Sequence, residues 1–177
     1  MPKVGMEPVR REALVLATIK EIGRVGSLDV TVSQIARKAG VSSALAHHYF
    51  GSKDRILLAA MRHILSVFGA EARKELARAA TPRERLDAIV RVCFSPQNFR
   101  PAVISAWLSF YVQAQNSTEA ARLLAIYQRR LHSNLMHGLK PLAGERAGHI
   151  AQGVASMIDG CYIRHALRAT NVNPSQA

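Results

Sequence analysis

Between Thr31 and Lys53, in TVSQIARKAGVSSALAHHYFGSK, hydroxyl, amide and imidazole side chains stand at spacings suited to contact with nucleic acid. Ser42, Ser43, His47, His48 and Tyr49 fall at or near the outer surface of a short helix, where they can hydrogen-bond phosphates. Ala44 and Leu45 share that surface and can touch a thymine methyl. Lys53 opens the next helix, where backbone amides and its ammonium together attract a phosphate. The inward set is complementary. Ile35, Ala36, Val41, Ala46 and Phe50 are spaced to pack two helices together, small Ala36 and Ala39 let them approach, and Gly40 supplies the turn. A plain helical hairpin with surface histidines would share some of this. The joint occurrence of turn, caps, inward set and outward set favours a helix-turn-helix whose second helix enters the major groove. His47 and His48 are adjacent, so they point ~100° apart on a helix and do not form a chelating pair.

The elements that must hold these residues are all helical. Leu14, Ala17, Thr18 and Ile22 mark one face of a first helix ending near Gly26. Thr31 and Gln34 match a capping box at the start of the second helix, and Gly40 closes it. Ser42 caps a third helix running to about Phe50, and Ser52 caps a long fourth through roughly Ala80. Thr81-Pro82 starts a fifth, with proline at the first helical position. SPQNFRP (95–101) reads as a loop, and Pro101 opens a sixth helix through about Gln115. A seventh follows Asn116-Ser117 and is expected to stop before Pro141; an eighth runs from about Glu145 to Ala169, leaving the polar tail NVNPSQA frayed. The periodicity predicts an all-α fold without internal repeats.

Composition narrows the function. With 177 residues, 49% apolar and 20% charged, the chain can bury a real core in an ordinary water-soluble composition. The net charge of +12 suits a polyanionic partner, but residues 1–60 carry 9 Lys/Arg against 5 Asp/Glu and the remainder 15 against 7. The charge is therefore spread evenly, and a generally basic solvated surface explains it equally well. Cys93 and Cys161 lie in apolar helical stretches and read as buried free thiols of a reducing compartment. The apolar run ALVLATI is too short for a signal sequence or a membrane span, so the chain is expected to be cytoplasmic. There is no Gly-rich phosphate loop, no zinc-spaced Cys/His cluster and no nucleophile–base arrangement. His63, His132, His137, His149 and His165 are scattered. No cofactor, no metal and no enzymatic activity are expected.

On Thr31, Ile35, Ala36, Ala39-Gly40-Val41-Ser42, Phe50, Ser52-Lys53 and Leu57-Leu58, the chain resembles the TetR family of one-component bacterial repressors. MPKVGMEPVRR (1–11), HYF (48–50), AWLSF (106–110), RRLHSNL (129–135) and IDG (158–160) carry the likeness further, to the BetI-like, choline-responsive branch that controls glycine-betaine synthesis. The resemblance implies an N-terminal three-helix DNA-binding domain (1–52), a C-terminal helical ligand-binding and dimerisation domain (53–177), and a homodimer on double-stranded operator DNA. It implies that residues at Ser43, Ala44 and Leu45 face bases and that those at His47, Tyr49 and Lys53 face phosphates. The second helix contributes Thr31, Ser33 and Gln34. Ala44 and His47 depart from the usual family pattern, which often has Gly and Tyr there. Lys3 is either part of a DNA-touching arm or a basic tip.

The same resemblance implies a cationic inducer, choline or betaine aldehyde. A quaternary ammonium donates no conventional hydrogen bond and is held by aromatic faces and nearby negative charge. Trp107, Phe110 and Tyr111 share one face of the sixth helix, Tyr127 lies on the seventh and Tyr162 on the eighth. Asp159 stands alone in an apolar stretch, so it needs a partner. A cationic ligand, Arg164 or a helix N-terminus could each serve, and ordinary core packing explains the rings equally well. Another small or lipophilic ligand would fit the same fold. Small residues Gly153, Ala155, Ser156 and Gly160 suit close helix approach, either to a second copy or within the chain. The chain ends about where the resemblance implies a last helix, so either it is short or that helix is absent from it.

Overall fold

Local capping signals set most of the element boundaries. The computed structural model describes residues 5–26 and 30–167; Lys3, the expected helix end at Ala169 and the tail NVNPSQA lie outside the described residues. Eight α-helices follow in order: α1 Met6–Val25, α2 Val32–Ala39, α3 Ser43–Phe50, α4 Lys53–Leu76, α5 Pro82–Cys93, α6 Pro101–Asn116, α7 Thr118–Ala143 and α8 Ala147–Ala166. A 3₁₀ turn, Gly144–Arg146, joins the last two. The fold is all-α among the described residues.

α1 buries the predicted face of Leu14, Ala17, Thr18 and Ile22, and the Thr18 hydroxyl donates to the Leu14 carbonyl at 2.7 Å, so no polar atom is stranded there. Its end is set by Gly26 at φ 74°, whose N–H donates to the Ile22 carbonyl. α2 starts with the reciprocal Thr31–Gln34 capping box, and Gly40 at φ 70° makes the turn into α3.

Two boundaries differ from the sequence-based expectation. α4 ends at Leu76 rather than near Ala80, because Glu84 reaches back to accept the N–H groups of Ala80 and Thr81 at 2.7 and 3.3 Å. Those bonds draw the segment into the cap of α5 instead of the last turn of α4. α7 passes through Pro141 to Ala143. The proline stands in the final turn, so its missing N–H removes one bond near the end, and Gly144 still donates to Lys140.

The buried residues form one continuous cluster, from Leu14 and Ile35 in the head to Trp107, Leu135 and Tyr162 in the body. α1 links these regions, since it packs on α2 and also on α4 and α6. Its crossing with α6 is tight. A Cβ built on Gly23 would stand 2.4 Å from the Ala102 Cβ and 2.6 Å from its Cα, so only glycine allows this approach. α6, α7 and α8 pack on one another, and α5 is held between α4 and α7.

Candidate nucleic-acid interface and ligand site

α2 and α3 form the predicted helix-turn-helix. Thr31, Ser33, Ser42, Ala44, His47 and His48 are exposed, while Gln34, Ser43, Leu45, Tyr49 and Lys53 are half-buried. Several of these side chains also build the head. The Thr31 hydroxyl accepts the Gln34 backbone N–H at 3.2 Å, and the Gln34 side-chain Oε1 accepts the Thr31 N–H at 2.7 Å. Ser42 Oγ accepts the Leu45 N–H at 3.1 Å, and Ser43 Oγ donates to Ser33 Oγ at 3.2 Å, tying the two helices together. His47 Nδ1 lies 3.4 Å from the Gly51 carbonyl, a contact that steadies the ring with Nε2 away from that carbonyl. Lys53 begins α4 beside the Ser52 cap, as expected.

Arg11 was not singled out from the sequence. Its guanidinium lies 5.4 Å from the Tyr49 ring centroid and 5.2 Å from that of Phe50, and its Nε donates to Glu7 at 2.7 Å. The Glu7–Arg11 spacing is visible as an i, i+4 pair, but the stacking across helices is not. Arg11 thus braces α3 from α1. Arg11→Ala is expected to cost about 1 kcal/mol of stability and to weaken operator binding, read together by thermal melts and gel-shift titration; a variant with unchanged affinity would remove the bracing role.

In the body, Trp107 is the centre of an aromatic group. Its ring centroid lies 4.5 Å from Tyr127, 5.8 Å from Tyr111, 6.2 Å from Phe110 and 6.5 Å from Tyr162. Trp107, Phe110, Tyr127 and Tyr162 are buried, whereas Tyr111 and Asp159 are half-buried. Asp159 Oδ1 accepts the Tyr111 hydroxyl at 2.9 Å. That corrects one expectation. Neither Arg164 nor a helix terminus meets this carboxylate, and among the described residues no Lys, Arg or His pairs with it. Arg164 is exposed. Burial raises the Asp159 pKa, with the Tyr111 hydrogen bond opposing the shift.

Sequence reading also missed the rings that back this group. Phe94 stacks on Tyr162 with centroids 6.1 Å apart, Phe99 lies 5.4 Å from Tyr162, and Phe68 meets Tyr127 edge-on. Phe94 precedes the 95–101 loop and Phe99 lies within it, and nothing in their local spacing ties them to α8. The loop is anchored by Asn98, whose amide donates to Glu71 of α4 at 2.7 Å and to the Val92 carbonyl at 2.9 Å. Tyr162 donates its hydroxyl to the Cys93 carbonyl. Burial, then the Asp159 charge, pushes the Cys93 thiol up to about 12, so it stays protonated and inert. Cys161 is only half-buried, less than expected.

Among the described residues, no cluster of three or more His, Cys, Asp and Glu could hold a metal, and no helix is long and apolar enough to cross a membrane. Among the described residues, Gly153 and Gly160 of α8 would meet nothing within 4 Å if given a Cβ, so tight packing against those residues is not why they are small. Met157 on α8 and Leu167, the residue that caps its C-terminal end, are 69% and 65% exposed.

A helix-turn-helix head on a helical body with a shared core is the architecture of a DNA-binding transcriptional regulator. Residues 14–60 match the bacterial regulatory proteins of the tetR family, and residues 82–177 match the C-terminal domain of BetI-type transcriptional repressors. The chain belongs to the BetI-type branch of the TetR family. It is 56% identical to the HTH-type transcriptional regulator BetI of Brucella anthropi, an alignment covering 100% of this chain and 92% of the relative. With BetI of Agrobacterium fabrum the identity is 54%, covering 100% and 86%. A regulator from Saccharomonospora viridis, solved in complex with choline, superposes with a TM-score of 0.80 at 23% identity, over 93% of this chain and 89% of that one, and so shares the fold.

Proposed function

We propose that this TetR-type repressor binds a pseudo-palindromic operator as a homodimer and is released by choline or betaine aldehyde, controlling conversion of choline to glycine betaine. One observation carries the ligand reading. Asp159 is a half-buried carboxylate with a tyrosine hydroxyl for a partner, no basic partner among the described residues, and a wall of rings from Trp107, Tyr111, Tyr127 and Tyr162 beside it. A quaternary ammonium supplies the missing positive charge and stacks on ring faces without needing a hydrogen bond. The choline complex of the Saccharomonospora viridis regulator and the BetI relatives support the same reading. Phe110 meets Trp107 edge-on and serves as backing for that ring.

In this reading residues 1–52 form the DNA-binding head and 53–177 the ligand and dimerisation body. The two recognition helices of a dimer enter successive major grooves ~34 Å apart. The open faces of Gly153 and Gly160, with exposed Met157 and Leu167, support α8 as part of the dimer contact. The protein acts in the cytoplasm by binding and not by catalysis. Ligand bound at Trp107 and Tyr111 displaces α6, and α6 meets α1 at Ala102–Gly23 while Asn98 holds the preceding loop to α4. Both connections lead to the head. The ligand must favour the released state over the DNA-bound one, since equal affinity shifts nothing.

Gel-shift titration with choline and with betaine aldehyde tests the proposal. Weakened operator binding at millimolar ligand is expected; if neither compound has an effect, the choline assignment fails while the repressor stands. A second measurement tests the head. Lys53→Ala should weaken binding to all sequences alike and reduce the slope of log affinity against log salt by about one per head. An unchanged slope would show that Lys53 contacts no phosphate.

A further inference from the structure

A cavity of about 690 Å³ opens between α4 and α7; it shares Tyr127 and its edge-on neighbour Phe68 with the aromatic group, but none of Trp107, Tyr111, Asp159 or Tyr162 lines it. Its walls are apolar, with Phe68 from α4 and Ile126 and Tyr127 from α7. Its polar edge carries Arg62 and Arg73 from α4 and Arg130 from α7, and no Asp or Glu lines it. Among the described residues none of these arginines pairs with a carboxylate. Gly69, also part of the lining, makes room for Arg73. A Cβ there would stand 3.4 Å from the Arg73 guanidinium nitrogen.

We infer that this cavity is a second ligand site, for an amphipathic anion of the fatty-carboxylate class. The volume is that of a small-molecule site. Guanidinium groups bind carboxylates in a bidentate fork, and the ring and aliphatic walls take the chain. The unbalanced positive charge selects against choline and for a negative headgroup, so the two sites discriminate by opposite electrostatics. An occupant bridges α7 and α4, which begins at Lys53 beside the recognition helix, and therefore bears on the head through α4.

Trp107 is the single tryptophan, and its ring centroid is 4.5 Å from that of Tyr127. Its fluorescence therefore reports occupancy of the cavity. The full chain is titrated with decanoate below its micellar concentration, with decan-1-ol as the uncharged control and with an R73E/R130E variant. Decanoate should produce a saturable change in emission, decanol should bind at least tenfold more weakly, and the variant should lose at least tenfold in decanoate affinity while its choline response persists. Both arginines are exposed, so the variant should fold, which circular dichroism checks. A non-saturable decanoate response, equal binding of decanol, or an unaffected variant overturns the inference.

Discussion

Asp159→Asn is expected to weaken choline binding by about 30-fold, because a close pairing of a partly desolvated cation with a carboxylate is worth about 2 kcal/mol while the ring contacts stay in place. Operator affinity without ligand should stay within about threefold, since the amide can still accept the Tyr111 hydroxyl at a distance near the present 2.9 Å. Calorimetric titration with choline and gel shifts on the same preparation would read the two effects separately. An Asn variant that responds to choline like the parent protein would remove Asp159 from the site.

The same carboxylate makes opposite pH trends for stability and for binding. Burial raises its pKa above the ordinary 3.8, and the Tyr111 bond offsets this only in part. The folded state thus holds the proton more tightly than the unfolded chain. The resulting stability is fully present below pH 3.8 and is lost as pH rises through the raised value. Choline prefers the ionised form, so its affinity should increase with pH over that acidic window and then level off. Asp159→Asn should abolish both trends. If choline affinity instead rises on acidification, the cation does not sit beside Asp159.

Much of this was readable in the chain because the signals are local. The Thr31–Gln34 and Thr81–Pro82 caps are contacts within a turn, and the shared face of Trp107 and Tyr111 follows from helical spacing alone. The end of α4 was misjudged because Glu84, from the next helix, competes for the Ala80 N–H. The partner of Asp159 was legible as a need but not as a residue. Tyr111 lies 48 positions away, and only the packing of α6 on α8 brings it near. Arg11 over Tyr49 and Phe50, and the arginines edging the α4–α7 cavity, are likewise products of helix packing. Periodicity assigns a residue to a face; it does not say which helix that face will meet.

Gly23 carries the other large expected effect. Gly23→Val should cost about 3 kcal/mol and lower the melting temperature by about 10 °C, as expected for overpacking against backbone that cannot rotate away. The added Cβ alone would stand 2.6 Å from the Cα of Ala102 and 2.4 Å from its Cβ, so α1 and α6 must separate. Gly153→Ala is the matched comparison. It too is a helical glycine, but its added methyl meets nothing within 4 Å, so the monomer should gain about 0.5–1 kcal/mol from helix propensity. Gly23→Ala should lose stability despite the same propensity gain, and pairing it with Ala102→Gly should recover part of the loss, since one of the two clashing groups is removed. Because α6 also carries Trp107 and Tyr111, the separation should loosen the connection from ligand site to head. Gly23→Ala should therefore require more choline to release the operator than its own loss of choline affinity explains. If Gly23→Ala is as stable as Gly153→Ala, the close approach does not exist in solution, and α6 acts on the head through Asn98 and α4 alone.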